Sequence, residues 1–333
     1  MTKQSKQIYS SLIGRIAWVM MINQALILVL GTLNSTLESI LVARFGDTAV
    51  IDFIFRMSEC VVYFLCFVLP VILFNKMNKN AEQEIYEPVE GERATPLNSV
   101  FLMGIGLGLT NMAIYVNYYV VNALWDYSDF SQEELWAVEL DHPYQVVIYF
   151  ISVAIIPPVV EELLFRGAIC KSLKIYGKTT AVVISALLFS LMHTNAEQFI
   201  YTFVAGLFLG LVYVETRNIL FPILLHFLNN SIAALEQIVY ETVSPMEYSK
   251  LSNIFDIIIW VFMAISLVGF LLSILKKGSF IRPISMKPDE NGEPVAPLSA
   301  SEKVAGFFNV KMVLFIAYSF AVMAYFIYLS TQK

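Results

Sequence analysis

Long apolar stretches constrain the fold of this chain more than any other feature of its sequence. Hydrophobic residues make up 58% of its 333 residues and charged residues only 14%, and the mean hydropathy is +0.68. A soluble domain typically has roughly a quarter of its residues charged. The composition therefore predicts an all-α, polytopic bundle of transmembrane helices that has the lipid bilayer as its partner.

A transmembrane helix needs about 20 mostly apolar residues, and about nine stretches of the sequence approach that length, with the shorter ones least clear. The predicted spans are 12–33, 59–74, 97–122, 144–166, 179–193, 198–214, 219–235, 254–275 and 312–329. The first span is long and lacks an obvious small-residue cleavage site, so we expect a retained anchor rather than a signal peptide.

The distribution of lysine and arginine predicts how the helices are oriented. Cytoplasmic loops are enriched in these residues, whereas acidic residues contribute little to orientation. If the N-terminus is cytoplasmic, the basic residues assigned to the cytoplasm are Lys3, Lys6, Arg15, Lys76, Lys79, Arg93, Lys171, Lys174, Lys178, Arg217, Lys276, Lys277, Arg282, Lys287, Lys303 and Lys311. The opposite side receives Arg44, Lys250 and Lys333, with Arg56 at a border. We therefore predict a multi-pass protein of the cell membrane with a cytoplasmic N-terminus.

The remaining polar segments fit this orientation. The acidic stretch 126–141 has no basic residue and is predicted to lie outside, whereas the polar linkers 76–96 and 278–303 are predicted to be cytoplasmic and loosely structured. The net charge of −6 resides in such loops and gives no indication of a nucleic-acid partner. Cys60, Cys66 and Cys170 have no metal-ligand spacing and are interpreted as buried small apolar residues.

Three charged or polar motifs interrupt the apolar helices. They are EELLFR at 161–166, FSLMH at 189–193 and HFLNN at 226–230. Ionisable side chains at membrane depth cost several kcal/mol unless they are paired or face a polar cavity, so they mark candidate functional sites.

The first motif has two carboxylates with different predicted roles. Glu162 and Arg166 are four residues apart on one helical face and can form an ion pair, which leaves Glu161 displaced sideways. A desolvated, unpaired carboxylate can act as a general base. The alternative interpretation is an ion pair at a helix end near the membrane border.

The other two motifs also place side chains four residues apart. Phe189 is predicted to lie beneath His193 and to fix its rotamer. His226 and Asn230 share a face and offer two donors to a developing negative oxygen. The alternatives are a structural histidine and a polar contact between helices, both common in membrane bundles.

The number of residues between the first two motifs predicts that Glu161 and His193 meet. If the chain turns near Gly177, Glu161 and His193 lie sixteen residues on either side of the turn and reach the same depth. His226 follows its own turn by only a few residues and would lie about 10 Å shallower on straight helices. A tilted or irregular helix is needed to close that gap. His142, in a polar loop before a proline, is predicted to be exposed.

Taken together and in order, the motifs EExxxR, FxxxH and HxxxN resemble those of the CPBP family, the CAAX prenyl-protease and bacteriocin-processing family also called Abi. The resemblance covers the stretch from about 144 to 234. It implies a catalytic core at 144–236, preceded by N-terminal transmembrane helices and loops at 1–143. C-terminal transmembrane helices with a cytoplasmic linker would then occupy 237–333.

The same resemblance implies an intramembrane endopeptidase that cleaves a peptide or a membrane-associated protein at a water-accessible intramembrane polar cavity. Glu161 and His193 would activate water and His226 and Asn230 would stabilise the oxyanion. The supporting residues would be Glu162, Arg166 and Phe189. The mechanism implied needs no metal or other cofactor, and the sequence has no HExxH motif.

Other functions stay open at the level of sequence. A serine protease would need a GxS-type motif, and an aspartyl protease would need aspartates within apolar helices, so both fit less well. A non-catalytic bacteriocin self-immunity or membrane scaffold protein that binds a membrane partner is the main alternative. A proton-coupled transporter could use the same Glu and His. Orientation and family resemblance favour a cavity open to the cytoplasm.

Overall fold

The computed structural model describes residues 3–79, 88–89, 94–125, 140–277, 285–286 and 298–330. Most of the acidic segment 126–141 and of the linkers 76–96 and 278–303 lies outside these residues. Within the linkers, two short described pieces form an antiparallel pair of strands, β1 (Pro88–Val89) and β2 (Ser285–Met286), with Pro88 opposite Met286. The two linkers therefore meet at this point.

Helices form the rest of the described chain. They are α1 (Lys3–Phe45), α2 (Ala49–Asn78), α3 (Pro96–Trp125), α4 (Pro143–Tyr176), α5 (Lys178–Met192), α6 (Ala196–Thr216), α7 (Leu220–Thr242), α8 (Pro245–Lys277), α9 (Ala300–Phe307) and α10 (Val310–Ser330). All nine predicted spans are helical, which confirms the all-α fold class.

Seven helices in the described part of the chain are long and apolar enough to cross a membrane, namely α1, α2, α3, α4, α6, α8 and α10. The protein is therefore a multi-pass membrane protein. The two remaining predicted spans fall short of that standard: α5 has only 15 residues, and α7, with 23 residues, is not in the set. Helix α5 is apolar but too short, whereas α7 carries the third motif, whose polar residues lower its apolar character.

Helix α4 is irregular, and its irregularity lies around the first motif. Two π-helical stretches, Ile151–Ile155 and Leu163–Cys170, flank an α-helical segment, Ile156–Glu162. Pro157 and Pro158 lie at the start of that segment. Proline has no N–H and its ring clashes with the carbonyl four residues earlier, so regular α-helical bonding cannot continue through it. The winding of α4 therefore changes directly after Glu161 and Glu162.

Small residues allow the helices around the site to approach closely. A Cβ atom on Gly206 of α6 would lie 2.9 Å from the Cα of Ala186 in α5, and one on Gly210 would lie 3.2 Å from Val182 Cγ1. Helix α5 is thereby held directly against α6. In addition, Ser185 donates a 3.0 Å hydrogen bond to the Phe165 carbonyl of α4.

The glycines of α3 pack within the chain. A Cβ on Gly104 would overlap Ser266 of α8, one on Gly106 would lie 3.0 Å from the Cβ of Phe208 in α6, and one on Gly108 would overlap Met263 of α8. Helix α3 is thus clamped between α6 and α8.

The turn between α4 and α5 lies at Gly177, as predicted, with a φ of +112°. The N-terminal part of α1 and the short helix α9 lie near it. Glu302 of α9 pairs with Lys6 at 2.9 Å, and the hydrogen bond from Lys6 lowers the pKa of Glu302 to about 2. The three cysteines are free and buried, which confirms their predicted role as small core residues.

Candidate active site

Glu162 is the centre of a buried charged cluster. Arg166 Nη1 donates to its Oε1 at 2.8 Å, and His226 Nδ1 lies 2.9 Å from the same oxygen. The side chains of Glu162 and Arg166 are completely buried. The predicted ion pair between Glu162 and Arg166 is therefore confirmed, whereas the contact with His226, which joins the first motif to the third, was not predicted.

Arg166 links this cluster to the neighbouring helices. Its Nη2 donates to the Gly206 carbonyl at 3.0 Å, and its guanidinium carbon lies 4.8 Å from the centre of the Phe189 ring. A guanidinium over an aromatic face is stabilised by the electrostatics of the ring, more strongly where water is excluded. Arg166 thus holds α4, α5 and α6 together from inside the bundle.

Glu161 occupies a different environment. It is only 2% exposed, and its Oε1 accepts a hydrogen bond from the Tyr63 hydroxyl of α2. Its Oε2 has no hydrogen-bond partner among the described residues and lies 3.9 Å from His226 Nε2. The sequence predicted an unpaired Glu161. In the structure Tyr63 holds one carboxylate oxygen, and only the other is available as a proton acceptor.

His226 lies at the depth of Glu161, so the offset of about 10 Å expected for straight helices is absent. That calculation treated α4 as a regular helix, whereas α4 contains two π-helical stretches. The irregular helix that the sequence argument required is therefore present.

The sequence predicted that His193 lies within the helix. In the structure it caps the end of α5. The chain leaves the helix through Thr194, which has a φ of +47°, and Asn195 begins α6 by accepting a 2.8 Å bond from the Glu197 amide. Gln24 of α1 donates to the Met192 carbonyl at 2.7 Å. The helix end that carries His193 is thereby tied to α1 and to α6.

The orientation of the His193 ring follows from its contacts. Nδ1 lies 2.8 Å from the Phe189 carbonyl oxygen, which can only accept, so Nδ1 carries a proton. In the neutral ring, Nε2 is then an acceptor. The Phe189 ring is 4.9 Å from that of His193, as predicted, and also 5.7 Å from that of His226. One phenylalanine therefore positions both histidines.

Asn230 contacts α4 through its side chain. Its Nδ2 donates to the Val153 carbonyl at 2.9 Å, within the first π-helical stretch, where the backbone bonding is irregular. The second hydrogen of the same amide group is available for a further acceptor. Asn229 donates to Asn230 Oδ1 at 3.4 Å, so two neighbouring amides lie together.

These groups surround one cavity of about 1130 Å³. The predicted residues that line it are Glu161, Phe189, His193, His226 and Asn230. Glu162 and Arg166 lie outside the lining, and they contact it through His226 and Phe189, respectively. The structure thus brings five of the seven predicted residues to one polar cavity inside the bundle and places the other two immediately behind it.

Sequence reasoning missed Tyr63 and Asn229, which also line the cavity. Tyr63 is one of 17 tyrosines and lies on a helix outside the motifs, so nothing in the sequence distinguishes it. Asn229 is next to a motif position, and its pairing with Asn230 could have been noticed. Within the described residues, no group of three or more His, Cys, Asp or Glu side chains is arranged to hold a metal ion.

Comparison with known proteins agrees with this geometry. Residues 143–232 match the family described as Type II CAAX prenyl endopeptidase Rce1-like. A membrane-embedded CAAX protease, MroQ of Staphylococcus aureus (strain USA300), is 30% identical over 101 residues. That match covers 28% of this chain and 41% of the relative, so the chain spans less than half of the relative's length. No solved structure matches the chain.

The matched segment contains all three motifs and every helix from α4 to the middle of α7. Its boundaries agree with the region of resemblance found in the sequence, and the motif residues converge on one intramembrane cavity. Through this core the chain resembles the CAAX protease (CPBP) family of membrane proteins.

Proposed function

We propose that this protein is an intramembrane endopeptidase that hydrolyses a peptide bond of a membrane-associated or peptide substrate through water activated by Glu161 and His193. The observation that carries this proposal is the position of Glu161 Oε2, which is buried and unpartnered among the described residues at a cavity shared with both histidines. In a membrane bundle such an oxygen is costly unless it has a use.

Glu161 is assigned the role of general base. Tyr63 holds Oε1, which fixes the carboxylate and leaves Oε2 to accept a proton from water. His193 Nε2, an acceptor at the same cavity, orients that water and shares the proton. The hydroxide equivalent attacks the carbonyl carbon, and the proton then passes to the leaving nitrogen as the carbon–nitrogen bond breaks.

His226 and Asn230 are assigned to the oxyanion. The Glu162 carboxylate accepts the Nδ1 proton of His226, which fixes the ring with Nε2 at the cavity, where a proton on Nε2 would be donated to the oxyanion. Asn230 supplies an amide hydrogen beside it. Donors fixed before the reaction stabilise developing charge most effectively where water is scarce. Glu162, Arg166 and Phe189 support this arrangement by holding His226 and α4 in place.

The proposed core is 144–236, with membrane helices at 1–143 and 237–333 on either side. We also propose a cytoplasmic N-terminus in the cell membrane, because lysine and arginine concentrate at one set of helix ends. The other helices then provide the lipid-facing shell and, through Tyr63 and Gln24, two contacts to the site.

Replacing Glu161 by Gln tests the assignment. The change keeps the shape of the side chain but removes the base, so turnover should fall by about 10² to 10⁴-fold with little change in expression or melting temperature. Membrane and secreted peptides of cells carrying either form are compared by quantitative proteomics, and cleavage is then repeated with purified protein in detergent.

Glu241→Gln is the matched control, because Glu241 is an exposed carboxylate on α7 outside the cavity lining. It should cleave like the wild type. If Glu161→Gln produced the same set of cleaved peptides as the wild type at the same rate, the proposal would be rejected.

A further inference from the structure

The residues that line the cavity come from particular parts of their helices. On α3 they lie within 107–121, toward the end of that helix, and on α7 they lie within 225–237, around its middle. On α4 they lie within 149–161 and on α6 within 197–209, toward the beginnings. The last residues of α3 and α7 and the first residues of α4 and α6 belong to the same end of the bundle, which we call the mouth end.

The cavity opens at the mouth end. Tyr115, Tyr118 and Tyr119 line it and are nevertheless 46%, 53% and 69% exposed. A side chain that both lines a cavity and is largely exposed lies at its edge. Glu161 is the last lining residue of α4 before the opposite end, so it lies at the bottom of the cavity.

The opposite end, which we call the closed end, is filled with packed side chains. Leu164, Phe165, Ile169 and Leu173 follow Glu161 along α4, and each is fully buried. The turn at Gly177 lies beyond them. A path for a peptide from this side to Glu161 would have to displace that core, in which close packing makes any volume change costly.

The two ends also differ in charge. The closed end carries Lys171, Lys174, Lys178 and Arg217 at the helix termini of the core. The mouth end has Glu197 and Glu236 in the cavity lining itself, and within the described residues no lysine or arginine lines the cavity. Since lysine and arginine concentrate on the cytoplasmic side, the closed end is cytoplasmic.

We infer that the cavity takes its substrate from the extracytoplasmic side of the membrane, as a peptide or as an externally exposed segment of a membrane protein. This inference rests on the proposed peptidase function and specifies which substrates that site can reach. The sequence had favoured access from the cytoplasm, and the inference reverses that prediction. The motif residues lie near the middle of the bundle, so only the packing beyond Glu161 shows which end of the cavity is closed.

Cysteine labelling in whole cells tests the inference without requiring turnover. The three native cysteines are buried and provide an unlabelled background. Ser152→Cys places a thiol of nearly the same size in the cavity wall on α4. Asp47→Cys reports the exposed α1–α2 connection at the mouth end, and Ser301→Cys reports exposed α9, whose neighbour Lys303 lies near Gly177 at the closed end.

A sulfonated maleimide that cannot cross the membrane is added to intact and to permeabilised cells. Ser152→Cys and Asp47→Cys should be labelled equally in both, whereas Ser301→Cys should be labelled only after permeabilisation. Adding the reagent to intact cells should also stop cleavage by the Ser152→Cys variant and leave cleavage by the Asp47→Cys variant unchanged.

Labelling of Ser152→Cys only after permeabilisation would overturn the inference, and so would a reversed pattern for Asp47→Cys and Ser301→Cys. Absence of labelling at Ser152→Cys under both conditions would also overturn it, because no aqueous path would then reach the wall. The same pattern is expected in a Glu161→Gln background. Failure of the peptidase assignment, seen as unaltered cleavage by Glu161→Gln, is therefore distinguishable from failure of the access route.

Discussion

Two neighbouring carboxylates on α4, Glu161 and Glu162, point in different directions from the helix and have different environments. Glu162 faces the interior, where Arg166 and His226 share its Oε1 within 2.9 Å. Glu161 faces the cavity, where Tyr63 holds one oxygen and the other is unpartnered within the described chain. Glu162 Oε2 also has no hydrogen-bond partner among the described residues, so what separates the two carboxylates is that Glu161 lines the cavity and Glu162 does not.

The comparison shows how a membrane bundle can hold a reactive acid. A lone buried charge is costly, but a charge next to an ion pair and an imidazole is stabilised by the oriented polar groups around it. The interior side of α4 fixes the helix and orients His226. The other ring nitrogen of His226, Nε2, lies on the cavity side, 3.9 Å from Glu161 Oε2.

The largest effect on stability is expected on the interior side. Arg166→Ala leaves the Glu162 charge buried without its cation, which typically costs about 3–5 kcal/mol. We expect a strongly reduced yield and melting temperature in detergent. If this variant folded as well as the wild type, the interior cluster would not be the structural element that we describe.

The largest effect confined to chemistry, after that of Glu161, is expected at Asn230. Loss of one oxyanion donor typically lowers kcat by about 10² to 10³-fold. Asn230→Ala should therefore lose most of its turnover in the purified peptide assay. Asn229→Ala, its neighbour in the cavity wall, is the matched comparison and should lose far less, since only Asn230 is tied to α4 through Val153. Equal losses in both variants would remove the distinction between them.

A smaller effect is expected where α6 supports the interior side. Gly206→Ala would force a Cβ to within 2.9 Å of the Ala186 Cα and would displace the carbonyl that binds Arg166. Overpacking of this kind costs about 1–3 kcal/mol. Gly210→Ala meets Val182 Cγ1 at 3.2 Å and no backbone atom closer than 3.4 Å, so it should be milder. Thermal unfolding of the two variants side by side checks this order.

The smallest effect is expected on the cavity side at Tyr63. Tyr63→Phe removes the donor to Glu161 but keeps the ring, which packs near Phe67 with ring centres 4.9 Å apart. A hydrogen bond to a charged group is worth roughly 1.5–3 kcal/mol, and part of it persists through the reaction, so kcat should fall about tenfold. Unchanged kcat would show that Tyr63 does not orient the base.

Particular residues show how far the sequence could predict the site. The spacing of four residues correctly paired Glu162 with Arg166 and Phe189 with His193, because contacts within a helix follow from its period alone. The contact between Glu162 and His226 could not be predicted in this way. It depends on where α4 and α7 come to lie relative to each other, and a straight-helix calculation put His226 at the wrong depth.

The same distinction applies to the fold. Apolar length predicted every spanning segment, although two of the predicted spans, α5 and α7, fall below the standard for a membrane span. The partners of the α3 glycines are α6 and α8, and these contacts depend on where helices distant in sequence come to lie. The direction of the cavity opening was likewise decided by packing.

By itself the sequence determined that this is a helical membrane protein with an ordered set of Glu, His and Asn residues, since hydropathy and helical period are local properties. The tertiary structure decided which oxygen of which glutamate is available, which tyrosine holds it and which end of the bundle is closed. Those outcomes depend on where helices distant in sequence come to lie, and the packing that sets their positions is a property of the whole bundle.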